Sequence, residues 1–138
     1  MPHNIRVGAK QEQRLLVTAD VAINFLGLEN ARVLSTPELI RYMESTSRNT
    51  VLPFLEAGYD TVGTMVAMSH LAAAPIGSVI TFASEITAVH DQRVEFHVTV
   101  RNEQEMIGEG THERTIINVA KFAARLADKI QAQNAKQN

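Results

Sequence analysis

The sequence of 138 residues contains no cysteine, and this absence limits the chemistry available to the protein. Disulfide bonds, thiolate nucleophiles and cysteine-ligated metals are excluded, so any nucleophile must be an oxygen, an imidazole or water. Long apolar runs are missing too: none approaches the roughly 18 residues that cross a bilayer, and residues 1–14 lack the apolar core of a secretory signal. We therefore expect a soluble, cytoplasmic protein with no membrane partner.

The charged residues show no excess of one sign and no cluster. The formal net charge is −2, the isoelectric point is about 6.2, and the 13 lysines and arginines are scattered along the chain. Because a nucleic-acid-binding surface needs a basic patch, we expect no polynucleotide partner. The length and a hydrophobic content of 45% suit one compact domain, residues 1–138, with a polar tail that begins at about residue 132.

One long helix is predicted in the first half of the chain. Residues 35–38, STPE, place hydroxyl residues before a proline and an acidic residue, which is the pattern of a helix start. The pattern continues to Leu55, and Gly58 supplies a stop signal. In between, apolar or small residues recur at helical spacing: Leu39, Ile40, Met43, Ser47, Val51 and Phe54.

Strands are predicted on both sides of this helix. Residues 10–17 are expected to form a strand, and residues 18–35 a loop with a short helix. Four later segments are continuously apolar or rich in Val, Ile, Thr and Phe, and short links favour antiparallel pairing: 61–71, 79–89, 93–100 and 105–118. An amphipathic C-terminal helix is marked by Val119, Phe122, Ala123, Leu126 and Ile130. The order predicts an α+β fold in which an antiparallel sheet wraps around the long helix.

Two residues of the long helix are candidates for chemistry. Glu44 falls at the edge of the apolar stripe, where a carboxylate is partly removed from water, as a general acid or base requires. The alternative is a flanking glutamate that reaches solvent. Thr36 stands at the helix start, where it either caps the backbone or presents its hydroxyl beside a helix terminus that favours an oxyanion.

His70 is a titratable residue in a strand whose other residues are predicted to be buried. A structural histidine is the commoner explanation for such a position. Strict alternation places His70 on the same strand face as Val62, Val66 and Met68, so its imidazole needs a polar partner.

Metal and phosphate sites are not expected from the spacing of the remaining polar residues. His112 and Glu113 point to opposite faces of a strand, and no other histidine has a partner at ligand spacing. Gly108 and Gly110 open no phosphate loop and instead indicate a bulge or a close backbone approach.

Taken together, these residues resemble the hot-dog fold thioesterases, and specifically the fluoroacetyl-CoA thioesterase-like family. The resemblance runs over residues 7–122 and includes the segments SHLAAAPIG and GTHER. That family uses a threonine, a glutamate eight residues later and a histidine twenty-six residues after the glutamate. Thr36, Glu44 and His70 reproduce this spacing.

The resemblance implies a sheet wrapped around the helix and a homodimer whose interface holds the site, with further pairing into tetramers left open. It implies hydrolysis of an acyl-CoA to an acid and coenzyme A, with no cofactor beyond the coenzyme A of the substrate. Thr36, Glu44 and His70 would be catalytic, while Gly63 and Arg114 would lie near the substrate channel.

Helix geometry limits how these three residues cooperate. Eight residues of helix span about 12 Å and turn the side chain by about 80°, so Thr36 and Glu44 should not touch within one straight helix. Either the first turn is irregular or a partner subunit completes the site. Attack by water, assisted by His70 or Glu44, is our hypothesis, and a covalent route through Thr36 or Glu44 stays open.

The acyl group is less well defined by the sequence. The aromatic lid that the resemblance implies before the threonine is reduced to Phe25, with Gly27 and Asn30 where bulky aromatics are expected, so we predict a short or medium acyl group. One rival class is a hot-dog dehydratase or hydratase, but this chain has no aspartate five residues before a histidine, as such enzymes require. The other is a non-catalytic module that binds acyl-CoA or acyl groups. Three scattered cationic residues are candidates for contact with the coenzyme A phosphates, and solvation at the surface explains them equally well: Arg48, Lys121 and Arg125.

Overall fold

The computed structural model describes residues 3–137, which form a five-stranded antiparallel sheet and two long helices. In chain order the elements are β1 (Lys10–Leu16), α1 (Thr36–Val51), β2 (Tyr59–His70), β3 (Val79–His90), β4 (Arg93–Arg101), β5 (Met106–Asn118) and α2 (Val119–Gln137). Short 3-10 turns occupy Ala19–Val21, Glu29–Ala31 and Leu52–Phe54. The predicted α+β architecture, an antiparallel sheet around a central helix followed by a C-terminal helix, is confirmed.

The sheet has the strand order β1-β3-β4-β5-β2, and α1 packs on one face of it, mainly against β3. Strand residues alternate between this face and the outer face, so every second side chain of β4 is buried. A buried hydrogen bond of 2.8 Å between the hydroxyls of Ser47 and Ser84 joins α1 to β3. The largest buried side chains are Phe82, Phe96, Leu34, Leu39, Met43 and Ile80.

The two helices end differently from the sequence prediction. α1 stops at Val51 instead of Leu55, because Pro53 lacks the N–H group that would donate to the carbonyl oxygen of Asn49 and continue the helix. The chain continues there as the turn Leu52–Phe54. α2 continues through the polar segment after residue 132 as far as Gln137, and most of its side chains are exposed.

A bulge in β2 changes which residues share a face. Gly63 pairs with Arg114 and Met65 pairs with Glu113, so Thr64 is an extra residue without a partner in the ladder. Strict alternation is wrong at this point: the bulge moves Val62 to the face opposite His70. His70 therefore shares its face with residues 66 and 68, and with Gly63 from the other side of the bulge.

The glycines of β5 permit a close approach of neighbouring backbone, one of the two alternatives predicted. A Cβ added at Gly110 would overlap the carbonyl oxygen of Ala67 and lie 2.7 Å from Met68 Cα. At Gly108 an added Cβ would lie 3.1 Å from the Ser69 carbonyl oxygen. The register of β2 and β5 runs one-to-one past both glycines, whereas in the β4–β5 ladder Val100 pairs with Gly108 and Arg101 with Met106, so a bulge lies next to Gly108.

Candidate active site

The first group of candidate residues lies at the N-terminus of α1. Ser35, and not Thr36, is the N-cap, because the Ser35 hydroxyl accepts a hydrogen bond of 3.2 Å from the backbone N–H of Glu38. The capping role that the sequence left open for Thr36 is thus filled by its neighbour. Thr36 Oγ1 instead lies 2.8 Å from Nδ1 of His70, which is the last residue of β2.

The His70 imidazole is partly buried and only half satisfied. Its Nδ1 contacts Thr36, whereas its Nε2 is buried and has no hydrogen-bond partner among the described residues. Burial lowers the pKa of His70 below the ordinary value of 6.5, and a backbone contact with Ala72 opposes this effect. The imidazole is therefore neutral at pH 7 and is able to accept a proton.

A cleft of about 380 Å³ opens over this pair. Its walls come from the loop between β1 and α1 and from the segment after β2. Phe25 and Leu71 stand at its rim with exposed side chains, 76% and 58% accessible respectively. The lining is mainly apolar and includes Ile23, Phe25, Val33, Leu34, Leu71 and Ala72.

The second group lies further along α1. Glu44 Oε2 accepts a hydrogen bond of 3.1 Å from Nη1 of Arg114, and the Glu44 side chain is 40% exposed. The predicted position at the edge of the buried stripe is confirmed. Gly63 makes room for this carboxylate, because a Cβ at Gly63 would overlap Glu44 Oε2. Glu44, Arg114 and Gly63 are therefore one cluster, which we call the carboxylate group.

Arg114 is held firmly in place. Its Nε donates to Thr61 Oγ1 at 2.7 Å, its Nη2 donates to the Thr61 carbonyl oxygen at 3.0 Å, and its side chain is 7% exposed. Burial lowers the pKa of Arg114, and Glu44 opposes this effect. The guanidinium nevertheless stays charged, because arginine starts from a pKa far above neutrality.

Sequence reasoning missed one residue of this cluster, His112. It lies in the GTHER segment, two residues before Arg114 and on the same strand face. Its side chain is fully buried, with Nδ1 2.7 Å from the Met65 carbonyl oxygen and Nε2 3.2 Å from Arg114 Nη1. The period of two along β5 was the signal that links it to Arg114.

The five predicted site residues thus form two separate sets within one chain. Thr36 and His70 touch, and Glu44 touches Arg114 beside Gly63. No hydrogen bond joins Glu44 to Thr36 or His70 in the part of the chain that the structure describes. Thr36 lies within regular α1, so the separation of about 12 Å expected along the helix holds.

A larger depression of about 680 Å³ lies on the outer face of the sheet and contains none of the predicted site residues. It is lined by polar and charged side chains of β1, β3 and β4, among them Lys10, Glu12, Arg14 and Arg101. Within residues 3–137, no cluster of three or more His, Asp or Glu side chains has an arrangement suited to a metal ion. None of the described helices combines the length and apolarity of a membrane span.

Comparison with known proteins identifies the family of this chain. Residues 17–120 match the model of the fluoroacetyl-CoA-specific thioesterase family, which is more than half of the chain. The chain belongs to this family. It is 29% identical to the fluoroacetyl-CoA thioesterase of Streptantibioticus cattleyicolor over 138 residues, which covers 96% of this chain and 99% of that relative.

Solved structures of the family and its neighbours have the same fold. A structure of the fluoroacetyl-CoA thioesterase superposes with a TM-score of 0.81 at 29% identity, covering 91% of this chain and 98% of that one. A thioesterase superfamily member from Thermus thermophilus gives a TM-score of 0.87 at 28% identity, covering 96% and 98%. A hot-dog-like protein from Thermanaerovibrio acidaminovorans, 20% identical, shares the fold with a TM-score of 0.82, covering 89% and 91%.

Proposed function

We propose that this protein hydrolyses the thioester of a short or medium acyl-CoA, releasing the acid and free coenzyme A. Membership of a thioesterase family supports the reaction class. The observation that carries the proposal is the 2.8 Å contact between Thr36 Oγ1 and His70 Nδ1 beneath a largely apolar cleft. We place this activity in the cytoplasm, as expected from the sequence.

His70 acts as the general base in this proposal. Burial keeps the imidazole neutral by lowering its pKa, and Nε2, which is buried and has no partner among the described residues, would take a proton from a water molecule that enters the cleft beside it. The resulting hydroxide adds to the thioester carbonyl carbon. Thr36 Oγ1 and the positive end of the α1 dipole stabilise the oxygen that becomes negative. Collapse of the tetrahedral intermediate breaks the C–S bond, and the proton on His70 passes to the leaving sulfur.

A covalent route uses the same two residues in other roles. Thr36 Oγ1 would attack the carbonyl carbon while His70 Nδ1 takes the hydroxyl proton, because the two atoms lie at nucleophile–base distance. An acyl-threonine ester would then form before water arrives. Acid quench and mass analysis during turnover separate the routes: direct attack leaves Thr36 unmodified, and an acyl adduct on Thr36 contradicts it.

The carboxylate group joins this pair through a second subunit in our proposal. β2 is the last strand of the sheet, and a long unpaired strand edge favours pairing with another strand. Two β2 strands paired antiparallel about a two-fold axis at residue 67 would, because Thr64 is an extra residue in the bulge, place Gly63 of one subunit opposite His70 of the other. Glu44 packs on Gly63, so the partner subunit's Glu44 would approach His70 and complete a site at the dimer interface.

The cleft argues for an ordinary acyl group. Phe25 is the only aromatic residue in the loop that borders it, and Gly27 and Asn30 add no aromatic ring to that loop. A largely apolar wall favours methylene groups over a single polar substituent. Each methylene group buried there should improve kcat/KM by about fourfold, since transfer from water contributes about 0.8 kcal/mol.

A panel of acyl-CoA thioesters with a free-thiol readout tests the proposal. We expect hydrolysis that rises from acetyl-CoA to butyryl- or hexanoyl-CoA, and no large preference for fluoroacetyl-CoA over acetyl-CoA. A preference for fluoroacetyl-CoA by orders of magnitude would overturn the substrate assignment. Tight binding of acyl-CoA without thiol release from any member would overturn the reaction and indicate a binding module.

A further inference from the structure

The position of His112 is unusual for an imidazole, because the side chain is entirely buried between the sheet and α1. The ring stacks on Phe96 from the adjacent strand, with centroids 5.8 Å apart and planes inclined by 29°. A buried polar ring is costly unless both nitrogens are hydrogen-bonded. Both are: Nδ1 contacts the Met65 carbonyl oxygen and Nε2 contacts Arg114 Nη1.

The two partners define the protonation of His112. A carbonyl oxygen only accepts, so Nδ1 carries the proton that is donated to Met65. A guanidinium only donates, so Nε2 is the unprotonated nitrogen that accepts from Arg114. Burial, assisted by Arg114, lowers the pKa of His112, while the Met65 carbonyl, Glu44 and Glu113 act in the opposite direction. The imidazole is therefore neutral and confined to one tautomer.

Arg114 depends on this acceptor. Its Nη1 has two N–H bonds, one directed to Glu44 and the other to His112, while Nε and Nη2 are held by Thr61. With the guanidinium almost fully buried, removing the His112 acceptor leaves an N–H group that water does not easily reach. A rotation that recovers a partner would displace Nη1 from the Glu44 carboxylate.

Gly63 shows how little space this arrangement allows. A Cβ at that position would lie 3.3 Å from His112 Cε1 and 3.3 Å from Arg114 Nη1, in addition to overlapping the Glu44 carboxylate. The imidazole, the guanidinium and the carboxylate therefore converge on one point of β2. A shift of any one of them changes the position of the carboxylate.

We infer that His112 is a positioning residue of the carboxylate group: its neutral imidazole orients the Arg114 guanidinium, which in turn holds Glu44 above Gly63. This rests on the proposed function, in which Glu44 takes part in hydrolysis. His112 itself touches no substrate, so its loss should lower kcat while leaving KM almost unchanged.

Two amide substitutions separate this role from simple packing. His112→Gln can place its side-chain oxygen near the former Nε2 and still accept from Arg114. His112→Asn is shorter, so it can retain the bond to Met65 but loses the acceptor for Arg114. We expect kcat to fall about tenfold to a hundredfold in His112→Asn, with KM within about twofold, and to stay within about threefold of wild type in His112→Gln.

His97→Asn is the matched control. His97 also has a hydrogen-bonded Nε2, 3.0 Å from Glu109 Oε2, but it lies on the outer face of the same sheet and is 42% exposed. We expect the kcat of His97→Asn to equal that of wild type. Thermal melting of all variants shows whether a loss of kcat comes from unfolding. Equal kcat in His112→Asn and wild type, or equal losses in the Asn and Gln variants, would overturn the inference.

A measurement on the wild-type protein tests the same inference without any activity. Nitrogen-15 NMR of labelled histidine should show His112 neutral and protonated on Nδ1 at pH 7, with a pKa below the ordinary value of 6.5. An Nε2–H tautomer or a titration near 6.5 would overturn the inference even if every thioester is hydrolysed. Conversely, an Nδ1–H signal in a protein that hydrolyses no thioester would leave the inferred geometry standing and the proposed function refuted.

Discussion

The two ends of the active-site arrangement on α1 differ in how fully their polar atoms are satisfied. At the helix N-terminus, His70 has one hydrogen bond, to Thr36, and a buried Nε2 without a partner among the described residues. Two turns later, Glu44 meets Arg114 of β5, which makes four hydrogen bonds and is almost fully buried. A satisfied network holds a charge rigidly, whereas an unsatisfied imidazole remains free to react. The first end is suited to proton transfer and the second to positioning.

The two buried histidines show the same difference. Burial lowers the pKa of both His70 and His112, so both are neutral at pH 7. Only His112 has both nitrogens engaged. A lowered pKa alone therefore does not identify the general base, and the free Nε2 of His70 is what distinguishes it.

The largest effect should come from His70→Ala. Removing the general base should lower kcat/KM by about a hundredfold to ten-thousandfold, because that is the usual contribution of positioned acid–base catalysis. The same thioester panel and a thermal melt provide the measurement, with little change in melting temperature expected for this partly exposed side chain. Activity within twofold of wild type would show that proton transfer occurs elsewhere.

Gly63→Ala should have the next largest effect. Its added Cβ would overlap Glu44 Oε2, so the carboxylate must move, and a displacement of about 1 Å can cost on the order of a hundredfold in rate. Steady-state kinetics should show a loss of about tenfold to a hundredfold. Thr64→Ala, at the exposed bulge residue beside it, is the control and should retain wild-type rates.

The pH dependence should reflect the lowered pKa values of the two histidines. Because His70 must be neutral to act, kcat/KM should fall as the pH decreases, with its midpoint below 6.5. The unfolded chain binds protons more tightly at both histidines, so the free energy of unfolding should also decrease as the pH falls below 6.5. A midpoint above 6.5 would contradict a desolvated base.

Relative to wild type, His112→Gln should lose less stability between pH 7 and pH 5. In wild type, the buried imidazole makes the free energy of unfolding depend on pH by at most about 1.4 kcal/mol per pH unit. Glutamine does not titrate, so the variant lacks this contribution. Chemical denaturation at the two pH values measures this difference. An identical change in the free energy of unfolding in both proteins would mean that His112 does not contribute to the pH dependence of stability.

The smallest effect should come from Arg48→Ala. The sequence left Arg48 open as a contact for coenzyme A phosphates, but its guanidinium binds both carboxylate oxygens of Asp60, at 2.9 and 2.6 Å. The pair is partly exposed, and such pairs contribute about 0–1 kcal/mol. We expect KM to change less than about twofold and the free energy of unfolding by about 1 kcal/mol at most. A tenfold rise in KM would show that Arg48 binds the substrate.

Much of the fold was predictable because local patterns and tertiary packing agree. The capping sequence before Pro37 placed the start of α1, and the alternation in β4 placed its buried face. The bulge at Thr64 was not predictable, since no residue type requires it, and it shifts every inward-facing position from there to His70. The predicted end of α1 at Leu55 is wrong, because the apolar spacing continues past Pro53 whereas the helix does not.

For the site, the spacing of Thr36, Glu44 and His70 suggested one catalytic set, while the structure shows Thr36 with His70 and Glu44 with Arg114. Which side chains meet depends on strand pairing between β2 and β5, residues that lie about fifty positions apart in the chain. The period of two along β5 places His112 and Arg114 on one face, but it carries no information about which residues of β2 and α1 meet them.

The central claim is that Thr36 and His70 of one subunit work with Glu44 of the other, and mixed dimers test it most directly. His70→Ala and Glu44→Ala are each expected to be inactive alone. When the two variants are mixed at equal ratio and exchange subunits, half of the dimers would contain one subunit of each variant. Each mixed dimer would have one intact site of its two, so activity should recover to about a quarter of wild type. If each site lies within a single chain, every site keeps one defect. No recovery above the sum of the two variants, in dimers shown to have exchanged, would contradict the account.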